Sequence, residues 1–167
     1  MKRAIMIIGA LGLSTLVAFF GLGLYSQTGQ APGLQNGKLT PCPDKPNCVS
    51  SESTPSNSHA VAAIELTPEM GGEPMLIIKQ AVENLGGDVS TSDDNYLAAT
   101  FTSDLFGFVD DVEFRIDNAS KLIHVRSSSR VGYSDFGANR KRVEALRETI
   151  KELTTKAVAS NEKPHHS

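Results

Sequence analysis

The sequence predicts an α+β domain of order βαββββα, an antiparallel meander sheet with two helices on one face, preceded by one N-terminal hydrophobic helix. Three observations predict it. Apolar residues recur at helical spacing in two stretches, Glu73–Leu85 and Ala138–Ala157. Four strand-like segments stand in a row between them, and short polar turns such as Asp93-Asp94-Asn95 and Asp117-Asn118-Ala119-Ser120 separate most of them. Far upstream, the run from Ala4 to Leu24 holds no charged residue.

That run is long enough to cross a bilayer, since about 20 residues rising about 1.5 Å each cover its hydrocarbon core. Lys2 and Arg3 precede it and nothing basic follows until Lys38, so the charge bias keeps the N-terminus inside and sends the remainder across. Two readings stand: an uncleaved signal anchor over residues 1–25, or a signal peptide that is removed. The length of the run favours the anchor, and Gly21-Leu22-Gly23 with the stretch to Ser26 makes a poor cleavage site. The expected location is a bacterial inner membrane with the domain facing the periplasm; the alternative is a secreted or periplasmic protein after cleavage.

Residues 26–39 are rich in Gly, Gln, Ser and Pro with almost no charge and read as a flexible tether to a globular domain over 40–157. Residues 158–167 are polar and read as a disordered tail. Cys42 and Cys48 flank a Pro-rich loop, a spacing that suggests a disulfide in an oxidising compartment. Two thiols without a nearby His or a second Cys pair make an incomplete zinc set, and adjacent His165 and His166 on a tail are not a preorganised site, so no metal or cofactor is expected.

Along the domain, His59–Leu66 alternates loosely and suggests a first strand. The helix over Glu73–Leu85 carries Ile78, Ala81, Val82 and Leu85 on one face, has Pro74 in its first turn, and stops at Gly86-Gly87. Strands follow over Asp88–Ser92, Tyr96–Thr102, Asp110–Ile116 and Lys121–Ser128. The last helix steps along Val143, Leu146, Ile150, Leu153 and Ala157. A TATA-binding-protein-like or helix-grip arrangement fits this order as topology. The second sheet face is left open, curved, or covered by the Cys-bearing loop.

The net charge of −3 hides an asymmetry: Lys38–Glu113 carries 3 basic and 13 acidic residues, and Phe114–Ser167 carries 11 basic and 6 acidic. The two halves attract, through internal ion pairs or through a dedicated basic face. If Asp117–Ser120 closes the third hairpin, Ile116 pairs with Lys121, Phe114 with Ile123 and Val112 with Val125. The opposite row then sets Asp111 across from Arg126 and Glu113 across from His124. Beyond them, the stretch from Arg126 through Arg130, Asp135, Asn139 and Arg140 carries hydroxyls and glycines into a helix N-terminus, a geometry that suits an anion. The other reading is structural: Asp135 or Asn139 caps the helix and the arginines pair with Asp110, Asp111 and Glu113.

Pro46-Asn47-Cys48-Val49-Ser50-Ser51, Asp110-Asp111-Val112-Glu113-Phe114 and the stretch Arg126–Glu144 together resemble the domain of unknown function 1499 family over about Pro41–Leu153. The resemblance implies a small protein, usually bacterial and often with an export or membrane segment, with relatives in plant plastids and no established activity.

The expected function is thus a membrane-tethered extracytoplasmic binding or scaffolding module. Its candidate ligand-binding residues are Arg126, Arg130, Asp111, Glu113, Asp135, Asn139 and Arg140, and its partner is an anionic small molecule or an envelope protein. The alternative is a hydrolase-type enzyme using His124 with Asp111 or Glu113. No nucleophile elbow or phosphate-loop motif supports catalysis, and export argues against nucleic acid despite Arg140-Lys141-Arg142 and Arg147 on one helix.

Overall fold

The computed structural model describes residues 2–54 and 57–161. Helix α1 runs Lys2–Gln27, and from Ile5 onward its residues are exposed except Gly23 and Ser26. Two-residue strands β1 (Leu34–Gln35) and β2 (Lys38–Leu39) form a small hairpin. β3 (Cys48–Ser50) and β4 (Ile64–Glu65) precede α2 (Pro74–Asn84). β5 (Asp88–Ser92), β6 (Tyr96–Thr102), β7 (Val109–Asp117) and β8 (Leu122–Ser129) then lead to α3 (Ala138–Asn161).

The meander is present as read from the sequence: β5 to β8 pair in chain order, each antiparallel to the next. The sheet continues past β8, because β3 pairs with its C-terminal half and β4 with its N-terminal half. The strand expected over His59–Leu66 shrinks to Ile64–Glu65, with only an isolated bridge from Ala60 to Ser50 before it. The backbone of that stretch is held instead by arginines of α3: Arg140 donates to the carbonyls of Ser58 and Ala60, and Arg147 to those of Ala62 and Ala63.

One sheet face and the two domain helices enclose the core. Leu97, Val112, Phe114, Ile123 and Val125 from the sheet meet Ile78, Ala81 and Val82 of α2 and Val143, Leu146 and Ile150 of α3 in one cluster. Of the apolar steps that predicted the helices these six are buried, whereas Leu85 is exposed and Leu153 and Ala157 are half-buried; the removal of the buried ones from water is the main favourable contribution to folding.

The β7–β8 register differs from the expected one by two positions. Ile116 pairs with Ile123, Phe114 with Val125 and Val112 with Ser127. The turn comprises Asn118–Lys121: Asp117 stays in the ladder opposite Leu122 while its carboxylate accepts from the Ala119 and Ser120 amides. Lys121 closes the loop in the left-handed region, at φ 56°. Because both strand ends move by one residue, every side chain keeps its face, but the cross-strand partners change.

The segment expected as a tether is mostly exposed but touches the domain at several points. Leu39 is buried, the Gly33 amide donates to a sheet carboxylate, and Ser26 at the end of α1 is almost fully enclosed. Residues expected in a disordered tail belong to α3 as far as Asn161, and the remainder of that expectation, with His165 and His166, lies outside the described residues.

Candidate functional site

The second sheet face carries the polar row Asp111, Glu113 and Arg115 on β7 and His124, Arg126 and Ser128 on β8, because strand residues alternate sides. In the observed register Glu113 stands opposite Arg126, not His124, and His124 stands opposite Arg115. Glu113 is 0% exposed and satisfied on both oxygens: Oε2 accepts from Arg126 Nη1 at 2.9 Å, Oε1 from the Tyr96 hydroxyl at 2.7 Å and from the Gly33 amide at 2.8 Å. Burial, aided by that bond to Glu113, pushes the Tyr96 phenol far above its ordinary value, so it stays a donor.

Arg130 reaches back from just beyond β8. It donates to Asp111 in bidentate fashion, from Nε at 2.9 Å and Nη2 at 2.7 Å, and from Nη1 to the Ser26 carbonyl at 3.1 Å. Arg115 pairs with Glu52 in the loop after β3, and with Asp117 at 3.6 Å. On the helix side, Arg142 of α3 pairs with Asp110 at 2.7 Å and lies over the Phe101 ring at 4.8 Å.

The loop-to-helix geometry is likewise filled from within. Asp135 accepts from the Gly137 amide at 3.0 Å and the Asn139 amide at 2.7 Å. Burial raises its pKa, but those backbone bonds outweigh it and hold the carboxyl below its ordinary value. Asn139, fully buried, is a hub rather than a cap: its amide group donates to the Asn47 carbonyl and Ser129 Oγ and accepts from Ser127 Oγ and Arg142. Through Asn47 it ties the Cys-bearing segment, closed by the Cys42–Cys48 disulfide, to the start of α3.

The seven residues singled out from the sequence thus fall into three places. Asp111, Glu113, Arg126 and Arg130 meet on the second face; Asp135 and Asn139 organise the α3 N-terminus; Arg140 holds the 58–60 backbone. Sequence reading missed Tyr96, Glu52, Gly33 and Ser26, which are distant in the chain and reach this face only through folding.

His124, offered as a general base, is removed by the register from both Asp111 and Glu113. Its Nδ1 lies 3.2 Å from Ser51 Oγ, but that hydroxyl also accepts from the Val125 amide at 2.9 Å, so it extends the edge of the sheet. Among the described residues no group of His, Cys, Asp and Glu side chains is arranged to hold a metal ion.

An opening that the sequence did not suggest lies between β4 with the turn after it and the last turns of α3. This groove of about 760 Å³ has Ile64, Met70 and Ile150 in its lining and Glu65, Arg147 and Lys151 among its charged groups.

A family model described as a protein of unknown function (DUF1499) matches residues 38–150. The chain belongs to this family. No curated protein matches it. The matched DUF1499 range holds the whole meander, the disulfide loop and most of α3, and it starts after Ser26 and Gly33, the residues that cover the polar face from the N-terminal side.

Proposed function

We propose that this DUF1499 protein is an extracytoplasmic scaffolding module, held by α1 at a bacterial inner membrane with its domain in the periplasm, and that it serves a protein partner of the envelope. One observation carries the choice of partner: the cations expected to receive an anion are already engaged within the same chain. Arg126 is paired with Glu113 and Arg130 with Asp111, Arg140 holds the Ser58 and Ala60 carbonyls, and the neighbouring Arg142 and Arg115 are paired with Asp110 and Glu52. A free anion would have to displace a partner that is covalently tethered and already desolvated. The disulfide supports the extracytoplasmic side, where such bonds persist.

The test is thermal melting of the full chain in detergent against anionic envelope metabolites, glycans and lipid headgroups. The scaffolding reading expects no ligand to raise the melting point, and Arg126→Ala and Arg130→Ala to lower it. A rise that disappears in a folded Arg130→Ala protein would establish an anion site instead and overturn the reading.

A further inference from the structure

We infer that one end of the sheet is a lipid-contacting surface: the 103–108 hairpin tip and the 130–137 loop rest in the bilayer leaflet on the domain's side, beside α1. The inference rests on the reading that α1 crosses the membrane, and it adds that the folded domain itself enters the interface.

The strand register brings these loops together. Thr102 pairs with Val109 and Asp110 with Ser129, so the β6–β7 turn and the chain leaving β8 emerge at the same end. The last turns of α1 dock there. Ser26 Oγ accepts from the Val109 amide at 3.1 Å, Gln27 Nε2 donates to the Gly107 carbonyl at 3.3 Å, and Arg130 holds the Ser26 carbonyl at 3.1 Å. Gly23 lets the hairpin touch the helix backbone, since a Cβ there would lie 1.7 Å from the Phe106 carbonyl oxygen.

Depth follows from the aromatic contacts. The Phe106 ring packs on Phe19 at 5.2 Å and Phe20 at 5.3 Å, and Phe108 packs on Phe19 at 6.2 Å. Phe19 is five residues before Leu24, the last aliphatic residue of the N-terminal apolar run, which places the hairpin tip roughly 7 Å inside that end at about 1.5 Å per residue. Asp104, the tip's acidic residue, confines the entry to the headgroup boundary.

The exposed side chains fit that environment. Outside α1, the three most exposed large apolar or aromatic residues are Phe136 at 94%, Leu105 at 70% and Tyr133 at 70%, and all three lie on these two loops. Phe136 is also held outward at φ 53° by a local turn, its amide donating to Ser134 Oγ at 3.3 Å while Asp135 accepts from the Gly137 amide. Aromatic and apolar side chains presented beside a spanning helix are the composition of a membrane interface.

The chain contains no Trp, so single reporters are clean. The full chain is placed in nanodiscs of phosphatidylethanolamine and phosphatidylglycerol, with and without brominated acyl chains, carrying Leu105→Trp, Phe136→Trp, Val17→Trp in α1, or Leu76→Trp at the start of α2. Brominated lipid is expected to quench the Leu105→Trp and Phe136→Trp reporters about two-fold, near the loss at Val17→Trp, and to leave Leu76→Trp unchanged. Quenching at Val17→Trp with none at Leu105→Trp and Phe136→Trp overturns the inference and leaves the anchor standing. Quenching of Leu105→Trp alone overturns the part of it that concerns the 130–137 loop. No quenching at Val17→Trp overturns both the anchor and the inference.

Discussion

The fully buried carboxylate of Glu113 accepts from three partners, Arg126, Tyr96 and Gly33, and its burial makes the loss of any of them costly. Deleting one partner of such a pair leaves an uncompensated charge, so Arg126→Met should cost about 3–5 kcal/mol in chemical denaturation. Neutralising the other partner as well should restore much of it. In Glu113→Gln/Arg126→Met the amide oxygen still accepts from Tyr96 and Gly33, and the double variant is expected to be more stable than Arg126→Met alone. A second residue-scale prediction concerns His124. Burial holds its imidazole below the ordinary value, against the opposing field of Glu52. The folded state therefore binds that proton less tightly than the unfolded chain, and stability is full above the ordinary histidine value of about 6.5 and falls as pH drops through the lower folded value. Melting points taken from about pH 7.5 to 5 should fall less steeply for His124→Gln than for the unaltered protein.

Single elements show where local pattern sufficed. The α2 helix occupies Pro74–Asn84 and β5 and β6 have the bounds that alternation and turn residues implied, because each is decided by neighbours within a few positions. β3 escaped notice, since Cys48–Ser50 is a three-residue strand that exists only by pairing with β8. The β7–β8 hairpin kept its faces but not its partners, because Asp117 caps its own turn from within the ladder. The junction of α1 with the β6–β7 hairpin depends on Gly23. Gly23→Ala should force the Phe106 backbone away, and faster hydrogen exchange at the Val109 amide, now bonded to Ser26, is the expected reading.

At the scale of the whole molecule, the residues before Lys38 are part of the domain's structure. Four of their bonds join them to the rest of the domain, from Gly33 to Glu113, from Val109 to Ser26, from Arg130 to Ser26 and from Gln27 to Gly107, and at about 0.5–1.5 kcal/mol each they contribute roughly 2–6 kcal/mol. A chain beginning at Lys38 should therefore melt at least about 5 °C below one beginning at Phe19. Equal melting points would show that the segment only lies against the fold. The apolar run before Tyr25, the helix periods, the meander and the cysteine pair were determined by the sequence alone, because each is a property of residues near one another in the chain. Tertiary structure alone decided that Arg126, Arg130 and Arg142 spend their charge on Glu113, Asp111 and Asp110, and that Ser26 and Gly33 close the polar face. Those outcomes depend on which residues the register and the chain's return path bring within hydrogen-bonding distance, and composition and periodicity carry no measure of that distance.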